Sequence, residues 1–205
     1  HILFSLGFNG YIDCMEGLQQ NILDYQMSYA TFIKNSKKTV FYDSYYAPLK
    51  NVVPIKNTIK LKKNMILTGP NASGKTTILK SVLINILLSQ QFGCGFYSSA
   101  SLKPVEHIHC YLNIPDTSGR DSLFQAEARR CKDILDIIQS HPDDNHFCAF
   151  DELYSGTNPE EASQSATAFM QFISKNKNVE CLLTTHYIKV CKRLKKKKNI
   201  LNCRM

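Results

Sequence analysis

The sequence has no apolar run near the roughly 20 residues that a bilayer-spanning helix needs, so no membrane partner is expected. Its N-terminus lacks the basic, apolar and small-residue succession of a secretory signal peptide. It also lacks an initiator Met, starting at His1, and so reads as a fragment. None of the eight cysteines forms a C-x-x-C pair, which removes the commonest zinc and redox patterns. Several, such as Cys148 and Cys181, stand inside apolar runs. Free buried thiols in a reducing, intracellular compartment are the preferred reading, with nucleus and cytoplasm both open. No internal repeat is visible, and no low-complexity segment beyond one lysine run.

What is present fits one globular domain. A chain of 205 residues can bury one sizeable core, and 43% hydrophobic with 20% charged residues is ordinary for a folded protein. The net charge of +8 suits a partner that carries phosphates. Much of it is local, because Lys192, Arg193 and Lys195 to Lys198 supply six charges within seven residues. A solvated basic turn, a contact to a DNA backbone and an import address all fit that run. Composition alone does not establish DNA binding.

Apolar spacing from about Ile2 to Lys34 is consistent with one or two helices, a helical preamble over residues 1–38. Thr39 to Tyr46 is β-branched and aromatic and favours a strand, and Pro48 and Pro54 break the next stretch into extended pieces. From Asn64 the pattern becomes regular. Apolar strands are predicted at Met65 to Thr68, His107 to Leu112, Phe147 to Phe150 and Val179 to Thr185, with another over Asn199 to Cys203. Helices are predicted from Lys75 to Gln91, from Ser122 to Gln139 and from Asn158 onward. The last opens with an N-cap, a first-turn proline and the acids Glu160 and Glu161. Strands alternating with helices predict an α/β fold, a mainly parallel sheet flanked by helices.

Gly69-Pro70-Asn71-Ala72-Ser73-Gly74-Lys75-Thr76 matches G-x-x-x-x-G-K-[ST] between a predicted strand and a predicted helix. Such a loop turns successive N–H groups toward a polyphosphate. Lys75 reaches its β and γ phosphates, and the Thr76 hydroxyl ligates Mg²⁺. Phosphoryl transfer also needs a carboxylate for the metal and a group to orient water. Asp151 and Glu152, at the end of an apolar strand, supply them: Asp151 for Mg²⁺ and Glu152 for the attacking water. His186, at the end of the next strand, is placed to sense the γ-phosphate or hold that water. ATP and Mg²⁺ are therefore the expected ligands.

Finer details resemble the MutS family. The loop from Gly69 through Thr77 looks like that family's form of the phosphate motif. The run from Asp151 through Asn158 resembles its D-E-x-x-x-G-T segment, and Thr185-His186-Tyr187 resembles its T-H-Y. Ser118 to Glu127 resembles its S-x-F-x-x-E region, and Gln91 to Ala100 looks like the segment after its first helix. Together these cover about residues 40 to 205.

The resemblance implies a P-loop NTPase of ABC-ATPase type over residues 39–205, truncated at its C-terminus and preceded by the end of a core or lever region. It implies a homo- or heterodimer with a second MutS-like subunit, in which Ser122 contacts the partner's γ-phosphate in trans. Ser122-x-x-Gln125 is independently a capping-box pattern, so Ser122 also fits a helix N-cap. Mismatched duplex DNA would be engaged through domains outside this chain, with ATP turnover coupled to clamp movement. Val52 or Val53 stands where the family often has an aromatic residue against adenine. No L-S-G-G-Q signature is found. Another ABC-type ATPase and a non-hydrolysing nucleotide-binding dimerisation module remain the alternatives.

Overall fold

A computed structural model describes residues 1–33, 38–61, 64–112 and 123–205. The chain is an α/β protein with two five-stranded sheets. The first contains β4 (Asn64–Thr68), β7 (His107–Tyr111), β8 (His146–Asp151), β9 (Val179–Thr185) and β10 (Ile200–Arg204), in the order β10-β4-β9-β8-β7. Every pairing in it is parallel. The connecting helices are α2 (Lys75–Phe92), α3 (Leu123–Ser140), α4 (Pro159–Ile173) and α5 (Ile188–Leu194).

Side chains alternate across a strand, so each strand of this sheet feeds two cores. Met65, Leu67, Phe147, Ala149 and Leu182 face α2, where they meet Leu79, Val82 and Ile86. Ile66, Cys148, Phe150, Cys181 and Leu183 face the other way, onto α3, α4 and α5. The buried positions of α3 are Glu127, Cys131, Ile134 and Ile138, a spacing that keeps them on one helical stripe. Helix α4 starts as its sequence requires: the Asn158 side chain accepts from the Glu160 and Glu161 backbone N–H groups, with Pro159 in the first turn.

The architecture is parallel-rich with flanking helices, as the alternation of strands and helices predicts, and a second sheet that this alternation does not reveal is added to it. The second sheet comprises β1 (Ser28–Phe32), β2 (Thr39–Ser44), β3 (Asn57–Leu61), β5 (Cys94–Gly95) and β6 (Ser99–Leu102), in the order β3-β2-β6-β1-β5. Only β1 and β6 run parallel; the other pairings are antiparallel. Phe41, Ile59, Leu61, Ala100 and Leu102 close over α2, which thus lies between the two sheets. The N-terminal helix α1 (Ile2–Leu23) also ends earlier than its apolar spacing suggests. Tyr29, Thr31 and Phe32 favour extended backbone, and strand β1 satisfies its N–H and C=O groups by pairing on both sides. Helix α1 has no buried residue, and only Leu18 and Ile22 touch the small cluster around Tyr45 and Phe96.

Among the described residues, no helix is long and apolar enough to cross a membrane. All eight cysteines are unpaired, and Cys94, Cys131, Cys148 and Cys181 are buried. The basic run is not a turn throughout: Lys192 and Arg193 form the last turn of α5. There Arg193 reaches across to α4, donating to Glu160 at 2.7 Å and to Ser163 at 3.2 Å.

One acidic side chain opposes folding at neutral pH. Burial pushes the Glu180 carboxyl on β9 up to about 7, against the pull of Lys103. The folded state therefore holds an extra proton between about pH 4.5 and 7, so stability falls as pH rises through that window and stays lower above it. Glu180→Gln is expected to stabilise the chain by up to about 3 kcal/mol at pH 8, with about a quarter of that left at pH 5. Urea unfolding at the two pH values checks this; equal gains at both would contradict it.

Candidate functional site

All strands of the parallel sheet point the same way, so their carboxyl ends share one edge. Crevices at that edge are where open α/β sheets hold ligands. The loop after β4 and the end of β8 meet there around a cavity of ≈ 680 Å³, lined by residues 71–77 together with Tyr111, Leu123, Glu127, Asp151, Glu152 and Ser155.

The Gly69–Thr76 loop bends through two left-handed residues, Ala72 at φ 60° and Gly74 at φ 92°. Gly74 then caps α2 without any side-chain capping bond, and no acid occupies that helix's first turn. The N–H groups and the positive end of the helix dipole are thus left for an anion. Lys75 is 5% exposed, and its ammonium donates to the carbonyls of Gly69 at 3.0 Å and Pro70 at 2.9 Å. Ser73 Oγ is buried without a hydrogen-bond partner. A buried cation on loop carbonyls and an orphaned hydroxyl beside free N–H groups are what a polyphosphate would satisfy. Thr77 lies on the cavity wall one residue further along α2.

Asp151 is held from helix α2 and from strand β9. Thr76 Oγ1 donates to both of its carboxylate oxygens at 3.0 Å, and the Thr184 hydroxyl on β9 donates to Oδ1. This hydroxyl–carboxylate pair is an oxygen donor set suited to Mg²⁺. Glu152 follows at φ 52°, a left-handed conformation that costs energy for a non-glycine residue. Its backbone N–H donates to the Thr184 carbonyl at 3.1 Å, which holds the strained turn to β9. The turn swings the Glu152 side chain to the rim, where His186 Nδ1 lies 3.5 Å from Oε1. His186 packs its ring against Tyr187 at 4.0 Å, and the Tyr187 N–H donates to Thr185 Oγ1. The arrangement can bind a phosphate chain, hold a hard cation beside it and orient a water between a carboxylate and an imidazole.

A family model for MutS domain V matches residues 65–205. The chain belongs to the MutS family. MutS domain V is the P-loop ATPase domain of that family, which binds ATP, generally with Mg²⁺. Among curated relatives, Endonuclease MutS2 of Staphylococcus haemolyticus is 29% identical over 180 residues, 82% of this chain and 22% of that protein. Endonuclease MutS2 of Staphylococcus epidermidis is 29% identical over 171 residues, 78% of this chain and 21% of the relative. That of Lactococcus lactis subsp. cremoris is 28% identical over 161 residues, 76% and 20% respectively. The chain thus spans about a fifth of the length of the curated relatives it matches.

Two features of this MutS-family site are not legible from local sequence. Glu127 stands in the sequence only as the last residue of a motif, yet it is 2% exposed and organises the loop after Glu152. It accepts from the Ser155 N–H at 3.0 Å, the Ser155 hydroxyl at 3.3 Å and the Gly156 N–H at 3.2 Å. A Cβ on Gly156 would lie 2.6 Å from Leu123, so only glycine lets this loop close on the start of α3. The second feature is a 370 Å³ apolar cavity bordering Ala72 to Gly74 and Thr77 on the other side of the loop. Val52 and Val53 line it but are 59% and 99% exposed; Tyr45 and the half-buried Tyr46 supply its aromatic surface. Ser122 lies outside the described residues, as does the rest of 113–122.

Glu127→Gln replaces a two-oxygen acceptor by a group that must turn an N–H₂ toward a donor. It is expected to cost about 1–3 kcal/mol. Urea unfolding measures this, and a loss below the error of the fit would show that the loop does not depend on the carboxylate.

Proposed function

We propose that the chain binds and hydrolyses ATP with Mg²⁺, as the ABC-type ATP module of a MutS-like protein acting on mismatched DNA. The observation that supports this most is the meeting of Lys75, Thr76, Asp151 and Glu152 at one cavity, with His186 beside Glu152, although they come from three separate stretches of chain. Bound ATP would supply a phosphoryl group open to attack by water, with the metal offsetting its charge.

The protein's own part is to bind, shield and orient. Gly69, Pro70, Asn71, Ala72, Ser73, Gly74 and Thr77 shape the phosphate cradle with their backbone and hydroxyl groups. Lys75 turns its ammonium from the Gly69 and Pro70 carbonyls to the phosphates. Thr76 and Asp151 hold the metal, Asp151 through water. Glu152 orients the attacking water and draws on its proton, and His186, against the same carboxylate, holds that water or reads the terminal phosphate. Tyr46 and its apolar neighbours offer the base a surface in place of the aromatic residue missing at Val52 and Val53.

In this reading residues 39–205 belong to the ATPase unit and residues 1–38 to a core or lever region. The active form is a homo- or heterodimer, with Ser122 at the γ-phosphate of the partner's nucleotide. Mismatched duplex is engaged by domains outside this chain, and ATP turnover moves a clamp around it, in a reducing compartment that leaves the buried thiols free. The name of the relatives, Endonuclease MutS2, favours a second reading in which the same ATP module serves a DNA-cleaving protein.

Lys75→Ala is expected to weaken ATP binding at least about tenfold, because the phosphates lose a desolvated charge-assisted partner. Glu152→Gln should keep ATP affinity and lower turnover about a hundredfold or more. Both are read by nucleotide binding and steady-state hydrolysis on the longest natural form of the protein, with matched, mismatched and no DNA. Equal turnover in wild type and Glu152→Gln would remove the catalytic assignment. Turnover that responds to mismatches supports the repair reading, whereas ATP-modulated cleavage indifferent to mismatches supports the second.

A further inference from the structure

Four of the chain's six histidines gather where nothing in the nucleotide chemistry needs them. His107 opens β7, His109 follows two residues later on the same face, and His146 opens β8 in register with His107. His141 and Asp144 sit in the connection between α3 and β8. These are the amino ends of the parallel strands, the edge opposite the nucleotide cavity. We propose that His107, His141 and Asp144 form a binding site for one divalent transition-metal ion of the zinc class.

Donor type and geometry both support this. One nitrogen from each histidine and one Asp144 oxygen all lie within 4.8 Å of one another. A tetrahedral ion with bonds of 2.0–2.1 Å needs its ligands about 3.3 Å apart, so the site has only to contract slightly. His107 Nε2 is already 2.9 Å from Asp144 Oδ2, and an ion would replace the proton between them. Two imidazoles and one carboxylate suit zinc, cobalt or nickel, whereas Mg²⁺ and Ca²⁺ prefer oxygen ligands throughout. His141 is exposed and the other two ligands are partly open, so solvent can supply the fourth ligand.

The surroundings hold the ligands in usable states. His141 Nδ1 lies 3.2 Å from the Ile137 carbonyl and 3.0 Å from the Ser140 hydroxyl; the tautomer with its proton on Nδ1 donates there and leaves the Nε2 lone pair for a metal. His146 Nε2 donates to the His141 carbonyl at 2.9 Å, so its Nδ1 accepts from His109 Nε2–H at 3.1 Å. His146 and His109 are thereby used up as supports: buried, hydrogen-bonded and stacked behind the three ligands. Glu106 accepts from the Asn145 N–H at 2.7 Å and fixes the same connection from β7's side. An ion bound here would fasten the end of α3 to the start of β7.

The full chain is titrated with Co²⁺ in excess Mg²⁺, and with Zn²⁺ as competitor. The expected result is one equivalent of Co²⁺, showing visible d–d absorption without a thiolate charge-transfer band and displaced by Zn²⁺. His141→Ala and Asp144→Asn alter surface side chains, and metal-free unfolding midpoints like that of wild type would confirm that both fold. Each is expected to weaken binding at least about tenfold. A thiolate band would place the ion on cysteine and overturn the assignment. So would affinity unchanged in both variants, or no saturable binding in the wild type.

Discussion

The Asp151 carboxylate receives the Thr76 hydroxyl from the start of α2 and the Thr184 hydroxyl from β9. This three-way contact ties the phosphate loop, β8 and β9 together at one point, and the rest of the site is built outward from it. The backbone leaves β8 immediately afterwards through the left-handed Glu152, whose N–H is captured by Thr184. If β8 slipped by one residue, Asp151 would turn to the other face and Phe150 would replace it at the loop. Register is therefore set by apolar packing: Phe147 and Ala149 must meet α2 while Cys148 and Phe150 meet the opposite helices.

A buried carboxylate also governs the far wall of the cavity. Glu127 reaches from α3 and accepts from the N–H groups of Ser155 and Gly156, which keeps its buried carboxylate from standing unpaired beside an apolar core. One helix thus controls the loop that follows Asp151 and Glu152. The opposite end of α3 leads into the histidine-rich connection at the other edge of the sheet. A single rigid element spans from the nucleotide cavity to that cluster, and the sheet between them shares the same strands, β7 and β8.

Elements with strong local signals are legible in the sequence. Strands β4, β8 and β9 are short apolar runs, and α4 carries its N-cap, proline and first-turn acids within four residues. The elements that escape a sequence reading are those whose signal is weak or shared. Strands β3 and β6 are short and polar on one face, β5 is only two residues long, and all three become strands only because neighbours share their hydrogen bonds. Strand β1 merges with the helix before it because both carry scattered apolar residues. Helix α5 reads as part of a charged turn because its lysines and arginine outnumber the two buried anchors, Val190 and Leu194.

The sequence by itself determined the place of the Gly69–Thr76 loop between a strand and a helix, the place of Asp151, Glu152 and His186 at strand ends, and the MutS family. Those groups occur in fixed order at the ends of recognisable strands, so spacing along the chain was enough. Tertiary structure alone decided the second sheet over α2, the work of Glu127, the apolar cavity beside Tyr46 and the gathering of His107, His109, His141 and His146. Their partners lie tens of residues apart, and local sequence carries no record of which distant strand end will stand beside which.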